Sequence, residues 1–325
     1  MKQALKKLGQ WFKPLSGLIF VVAAGVFLVV KVVGVWSDFL AAMASMTLGW
    51  ILGAWVMAAL SMVGIAFGWH LTLDESDIRL PFTSTLADYL VGEIGKYIPG
   101  GIWPIVGRGE LVHQRGHERP PSYLSVLVSL ISLYIVSGWI STIGLALTGG
   151  IDRIGTFWWV VLAVGSVGAS AFFHTGVRVM LLRYARLLPF VNLPPSFELA
   201  PVGPRPVLAY LGAWTANGAS AVMVGRAAGV DDAAILAIAA VFSWLVGFVF
   251  IPAPGGLGVR EAAFVGAVSL LPGPALAIAV VSRLLFMVVD GVGAAIGWWY
   301  RRRTASVGVG LVSGVLRRNT PEAVG

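Results

Sequence analysis

The chain has no cysteine among its 325 residues, which excludes disulfides, thiolate metal sites and cysteine nucleophiles. Charge is scarce as well: Asp, Glu, Lys and Arg make up 12% of the residues, about half the share usual in a soluble domain. There is no Gly-x-x-x-x-Gly-Lys-Ser/Thr phosphate loop, no Gly-x-Ser-x-Gly elbow and no His-Glu-x-x-His motif, so ATP hydrolysis, serine-hydrolase and zinc-protease chemistry find no support. His113 and His117 stand four apart with Glu118 beside them, but without further ligands in a Gly- and Arg-rich loop they make no metal site. No metal or other cofactor is expected.

What fills the chain instead is apolar sequence. Hydrophobic residues reach 58% and mean hydropathy is +0.86, values of an integral membrane protein. The formal net charge of +8 comes from Lys and Arg that flank apolar runs rather than form a face, which suits cytoplasmic loops and anionic lipid headgroups and argues against nucleic acid. Lys2, Lys6, Lys7 and Lys13 precede a run over 15–36 that is longer than the core of a signal peptide and lacks a cleavage site, so it reads as a retained signal anchor.

Apolar spans are expected over 15–36, 39–69, 122–147, 156–180, 207–224, 232–251 and 275–300, with an acidic loop over 70–79 and a basic loop from Arg108 to Pro121. Residues 262–271 form a half-length apolar piece that either crosses or turns back, followed by a Pro272-Gly273-Pro274 break. The expected fold is therefore an all-α polytopic membrane protein of about seven or eight transmembrane helices, one or two of them re-entrant or broken, with a possible internal repeat. Its parts are a basic cytoplasmic N-terminus (1–14), a membrane domain (15–303) and a mobile tail (304–325). Placing the clusters of Lys and Arg inside puts the N-terminus in the cytoplasm, and the inner (cytoplasmic) membrane is the expected location.

Two stretches interrupt the apolar pattern with the same triplet, Pro99-Gly100-Gly101 and Pro254-Gly255-Gly256, 155 residues apart. Proline removes a backbone donor and glycine permits close approach, so each triplet can end a helix at a polar cavity. Matching breaks in two halves are a pointer to a transporter's binding site. Ionisable residues gather around them: Asp88, Glu93 and Lys96 before the first break, Arg260 and Glu261 after the second, and Arg283 and Asp290 inside the last span. Each costs on the order of 3 kcal/mol in the bilayer unless it pairs or reaches water. Glu93 can pair with Lys96 one turn away; Arg283 can approach Asp290 through water, or each can pair elsewhere, Arg283 with Glu261 and Asp290 with Lys96. Lys96, Arg260 and Arg283 are candidates to attract a phosphate, with Tyr97 and Trp103 beside them; Asp88, Glu93, Glu261 and Asp290 are candidate gating or ion-pair residues. The glycines before Arg260, Gly258 among them, open a helix whose free amides suit a phosphate. His174 and Asn217 are expected to hydrogen-bond between helices.

The segments Gly95-Lys-Tyr-Ile-Pro-Gly-Gly-Ile-Trp103 and Ile251-Pro-Ala-Pro-Gly-Gly-Leu-Gly-Val-Arg-Glu261 resemble the paired motifs of the flippase-like integral membrane family, which is similar to the transmembrane domain of lysylphosphatidylglycerol synthases. The resemblance covers roughly residues 10 to 303 and implies re-entrant helices that move a polar-headgroup lipid, an anionic phospholipid or a polyprenyl-phosphate-linked glycan, between leaflets. In the synthases a soluble C-terminal domain makes the aminoacyl lipid; the sequence here runs only about 22 residues past Arg303, so that synthesis is not expected of it. The competing expectations are a membrane-embedded transferase acting on a polyprenyl-phosphate sugar, with Asp88, Glu93 or Glu261 as base, and an accessory subunit partnering cell-envelope enzymes.

Overall fold

Apolar runs punctuated by Pro and Gly leave the backbone one way to satisfy its amides inside a bilayer, which is helix. A computed structural model describes residues 36–98, 102–185, 202–249, 256–268 and 272–318, and among these the regular structure is entirely helical. In chain order the α-helices are α1 (Trp36–Ala44), α2 (Leu48–Glu75), α3 (Phe82–Glu93), α4 (Trp103–His113), α5 (Arg119–Leu147), α6 (Gly150–Ile154), α7 (Thr156–Ser170), α8 (Thr175–Ala185), α9 (Pro204–Ala227), α10 (Ala233–Val249), α11 (Val259–Ala267) and α12 (Pro272–Arg318). Short 3-10 turns tighten the ends of α3 (Ile94–Tyr97) and α7 (Ala171–Phe173). Five helical segments are long and apolar enough to cross a membrane: Leu48–Glu75, Arg119–Leu147, Thr156–Phe173, Pro204–Ala227 and Pro272–Thr304. Helix α10 is apolar but shorter. The chain is an all-α, multi-pass membrane protein.

Several expected boundaries move, each for a local reason. The span at 39–69 is two helices parted at Ser45–Thr47, and the second continues through the supposed acidic loop to Glu75, whose carboxylate accepts the Gly203 amide at 3.0 Å. The span at 156–180 breaks at Ala171–His174. His174 acts locally there, its Nδ1 accepting the Gly176 amide at 3.2 Å, rather than joining two helices. Pro272 and Pro274 begin α12 instead of breaking it, as proline in a first turn can. That helix also stays regular past Arg301-Arg302-Arg303, to Arg318. The expected first span lies outside the described residues except for Trp36, as does most of the Pro-rich connection before α9.

The frame of the molecule is the antiparallel pair α2 and α9. Small residues let the backbones approach: Gly53 lies against Met223, Gly64 against Ala213 and Gly68 against Tyr210. Ser220 Oγ donates to the Ala54 carbonyl at 2.8 Å, and Thr47 N–H to the Ala227 carbonyl at 3.2 Å. Buried Trp69, Met62, Trp214 and Tyr210 build one core on this pair; a second core gathers α9, α10, α11 and the start of α12.

Two helical hairpins pack onto the frame. In the first, α3 and α4 lie side by side, Gly92 against Arg108 and Gly95 against Trp103 and Pro104. In the second, α10 and α11 lie side by side, Gly247 against Arg260. Helix α11 has nine residues and spans only about 14 Å. It is too short to cross a hydrocarbon core of about 30 Å, so the half-length piece does not cross by itself.

Candidate functional site

Pro99, Gly100, Gly101, Pro254 and Gly255 fall outside the described residues, so the breaks are seen from their flanks. On the far side of the second break, Gly256 (φ 71°) and Gly258 (φ 79°) take left-handed conformations that favour glycine. They turn the chain into α11 so that Arg260 and Glu261 follow immediately on its first turn.

At the start of that helix one backbone amide, that of Gly258, is already taken. Glu261, 4% exposed, turns back so that its Oε2 accepts the Gly258 amide at 2.8 Å, while Oε1 accepts Arg283 Nη1 at 2.7 Å. The acid three residues into the helix therefore caps its start from within, beside the amides expected to suit a phosphate. Arg283 is thereby engaged with Glu261.

Arg260 is placed differently. Its guanidinium lies 3.5 Å from the centre of the Trp244 ring, and among the described residues no carboxylate lies within 4.0 Å of it. It lines a small open cavity of about 30 Å³ together with Asn217, Ser243, Trp244, Glu261 and Arg283. Asn217 Oδ1 and Ser282 Oγ, both on the cavity lining, are buried without a hydrogen-bond partner. Asn217 Oδ1 thus makes no hydrogen bond between helices.

The first break supplies an adjoining network. Lys96 Nζ lies 3.1 Å from Glu93 Oε1 and 2.8 Å from Asp290 Oδ2. Tyr97 Oη donates to the same Asp290 oxygen at 2.5 Å, and Asp290 is 1% exposed. Glu93 has a second partner, Arg108 Nη2 at 3.4 Å. Arg108 was expected in a basic loop; Pro104 starts α4 around it, and the side chain is 2% exposed over the rings of Tyr89 and Trp69. The two networks meet at Trp244, whose ring has Lys96 Nζ 5.4 Å from its centre and Arg260 much closer. Trp103 sits at the start of α4, 43% exposed, and does not line the cavity.

Asp88 belongs to a separate cluster. It is buried on α3 and receives Arg115 Nε at 2.6 Å, Arg115 Nη2 at 2.9 Å and Arg301 Nη1. The hydrogen bond to Asp88 raises the Arg115 pKa above its usual value. With Tyr300 Oη 2.9 Å from Thr83 Oγ1, this ties the end of the last span to α3.

Around the cavity and its neighbour network stand Lys96, Arg108, Arg260 and Arg283 against Glu93, Glu261 and Asp290. Three of these cations have an acid within 4.0 Å, and among the described residues Arg260 has none. The site therefore carries one surplus positive charge, on an arginine stacked over an aromatic ring and facing open space.

A multi-pass helical membrane protein with paired broken segments and charge networks buried between them is the class that this fold defines. Residues 15–292 match the family described as the lysylphosphatidylglycerol synthase TM region, and the chain belongs to that family. No curated protein matches it. Membership ties the chain to membrane lipid metabolism or translocation.

Proposed function

We propose that the protein translocates an anionic, phosphate-bearing lipid between the leaflets of the cytoplasmic membrane without altering it covalently, and that Arg260 receives the headgroup. The reading is carried by Arg260: among the described residues it is the one cation of the network with no acid within 4.0 Å, and it lines a cavity together with Asn217 and Ser282, each of which has a buried oxygen without a hydrogen-bond partner. A guanidinium in such surroundings suits a phosphodiester, which it can grip with two parallel hydrogen bonds. In this reading the two hairpins are re-entrant, entering from opposite faces, with the N-terminus and Arg301-Arg302-Arg303 in the cytoplasm. The headgroup passes between them while the acyl or prenyl tail stays in lipid.

Glu261 is ill placed to serve as a transferase base, because both of its oxygens are already held, by Gly258 and by Arg283. The test is reconstitution into vesicles containing a fluorescent anionic phospholipid or a polyprenyl-phosphate glycan. Transfer across the bilayer with the lipid mass unchanged is expected. A lipid recovered with an altered mass identifies a transferase, and correctly inserted protein that moves neither lipid removes the proposal.

A further inference from the structure

The two halves of the chain share more than their Pro-Gly-Gly triplets. Tyr89-Leu90-Val91-Gly92 and Trp244-Leu245-Val246-Gly247 are displaced by the same 155 residues as the triplets. The helices correspond in the same order: α2 with α9, α3 with α10, α4 with α11 and α5 with α12, their starts displaced by about 151 to 156 residues.

Packing repeats as well. In the first half Arg108 lies over Gly92 and the Tyr89 ring, 4.8 Å from its centre; in the second Arg260 lies over Gly247 and the Trp244 ring. A Cβ on either glycine would overlap the Cγ of its arginine. Corresponding helices α2 and α9 run antiparallel, so the halves are inverted with respect to each other. Contacts between the halves exchange accordingly: α3 meets α12 with Leu90 against Gly293, and α10 meets α5 with Phe248 stacked on Tyr134.

The arginines stand 152 residues apart, three short of the common displacement, so they correspond in packing rather than in register, and the position after each glycine differs as well. Glu93, which follows Gly92 and holds Arg108, has Phe248 as its counterpart after Gly247. The aromatic shelf, the glycine and the arginine are kept in both halves, and the acid is present in only one.

From this we infer that the protein carries two anion half-sites related by inverted duplication, an open one at Arg260 and a second at Arg108 that Glu93 latches. The second half-site takes the same ligand class, a lipid phosphodiester. Lys96 holds Glu93 from its other oxygen, so the carboxylate has a resting partner when it leaves Arg108. The inference rests on the reading that Arg260 receives a lipid phosphate, and the two fail separately.

The experiment is titration of the purified full-length chain in detergent with a water-soluble short-chain phosphatidylglycerol, with thermal unfolding run on each variant. Wild type is expected to bind one equivalent, and Arg260→Ala to weaken that binding at least tenfold. Glu93→Gln, which keeps the shape and removes the charge, is expected to add a second equivalent that Glu93→Gln/Arg108→Ala lacks. Phe248→Glu supplies the missing latch and is expected to weaken the open site at least tenfold, while Phe248→Gln leaves it within about threefold. If Arg260→Ala loses binding but Glu93→Gln gains no Arg108-dependent equivalent, or if Phe248→Glu and Phe248→Gln behave alike, the duplicated half-site is overturned and Arg260 keeps its role. If Arg260→Ala binds as wild type does, the reading of the open site falls, and an Arg108-dependent equivalent in Glu93→Gln still reports the second one.

Discussion

Arg260 and Arg283 face the same cavity, yet their removal should have opposite signatures. Arg283 holds Glu261 at 2.7 Å, and that carboxylate is 4% exposed, so Arg283→Ala leaves a buried negative charge with only the Gly258 amide for a partner. Breaking a buried pair in this way costs about 3–5 kcal/mol. Arg260→Ala strands no acid and forfeits its stacking on Trp244, worth about 0.5–2 kcal/mol, while also relieving a surplus charge. The unfolding midpoint in one detergent should therefore fall clearly for Arg283→Ala and little for Arg260→Ala. Binding should rank the other way per unit of stability lost. A hydrogen bond to a charged group contributes about 1.5–3 kcal/mol, which at about 1.4 kcal/mol per tenfold is roughly 10- to 150-fold weaker binding of an anionic lipid by Arg260→Ala. If Arg260→Ala unfolds as early as Arg283→Ala, or unfolds normally and still binds the anion with full affinity, Arg260 is a structural cation and the reasoning fails.

Lys96→Met leaves Glu93 and Asp290 without the cation between them and should lower stability by about 3–5 kcal/mol, with Lys96→Met/Asp290→Leu recovering much of it in a double-mutant comparison. Gly297→Ala would set a methyl 2.7 Å from the Ala87 carbonyl oxygen where α12 crosses α3, costing about 1–3 kcal/mol by unfolding in detergent; an unchanged midpoint would contradict that packing. Asp88→Asn removes the negative charge shared by Arg115 and Arg301 and puts an amide donor in place of one acceptor oxygen, and because both arginines reach solvent the cost should be about 1–3 kcal/mol and should shrink at high salt.

The class of fold was legible in the sequence because long apolar runs broken by Pro and Gly have few outcomes in a membrane. So were the pairs Lys96 with Asp290 and Arg283 with Glu261, since an ionised group within an apolar run must find its opposite somewhere in the bundle. Arg108 was legible as the arginine that follows the first triplet, as Arg260 follows the second, but its burial was not: Gly107, Gly109 and the basic residues after it give the composition of a loop, and only the aromatic floor of Tyr89 and Trp69 makes the burial tolerable. Trp244 was missed because one more aromatic in an apolar run carries no pattern, although it joins the two networks. The repeated Leu-Val-Gly was too short to stand out until both glycines were seen carrying an arginine. Helix ends such as Glu75 and Pro272 depended on tertiary partners or on first-turn proline, which hydropathy does not resolve.

Recognition of an anionic headgroup by the surplus charge on Arg260 can be measured in vesicles by comparing the initial leaflet-transfer rates of a fluorescent anionic phospholipid and a zwitterionic one with the same tails. Wild-type protein should move the anionic lipid faster, and Arg260→Ala, inserted to the same extent, should lose that preference. Equal rates for both lipids in the wild type, or a preference that survives Arg260→Ala, would contradict it.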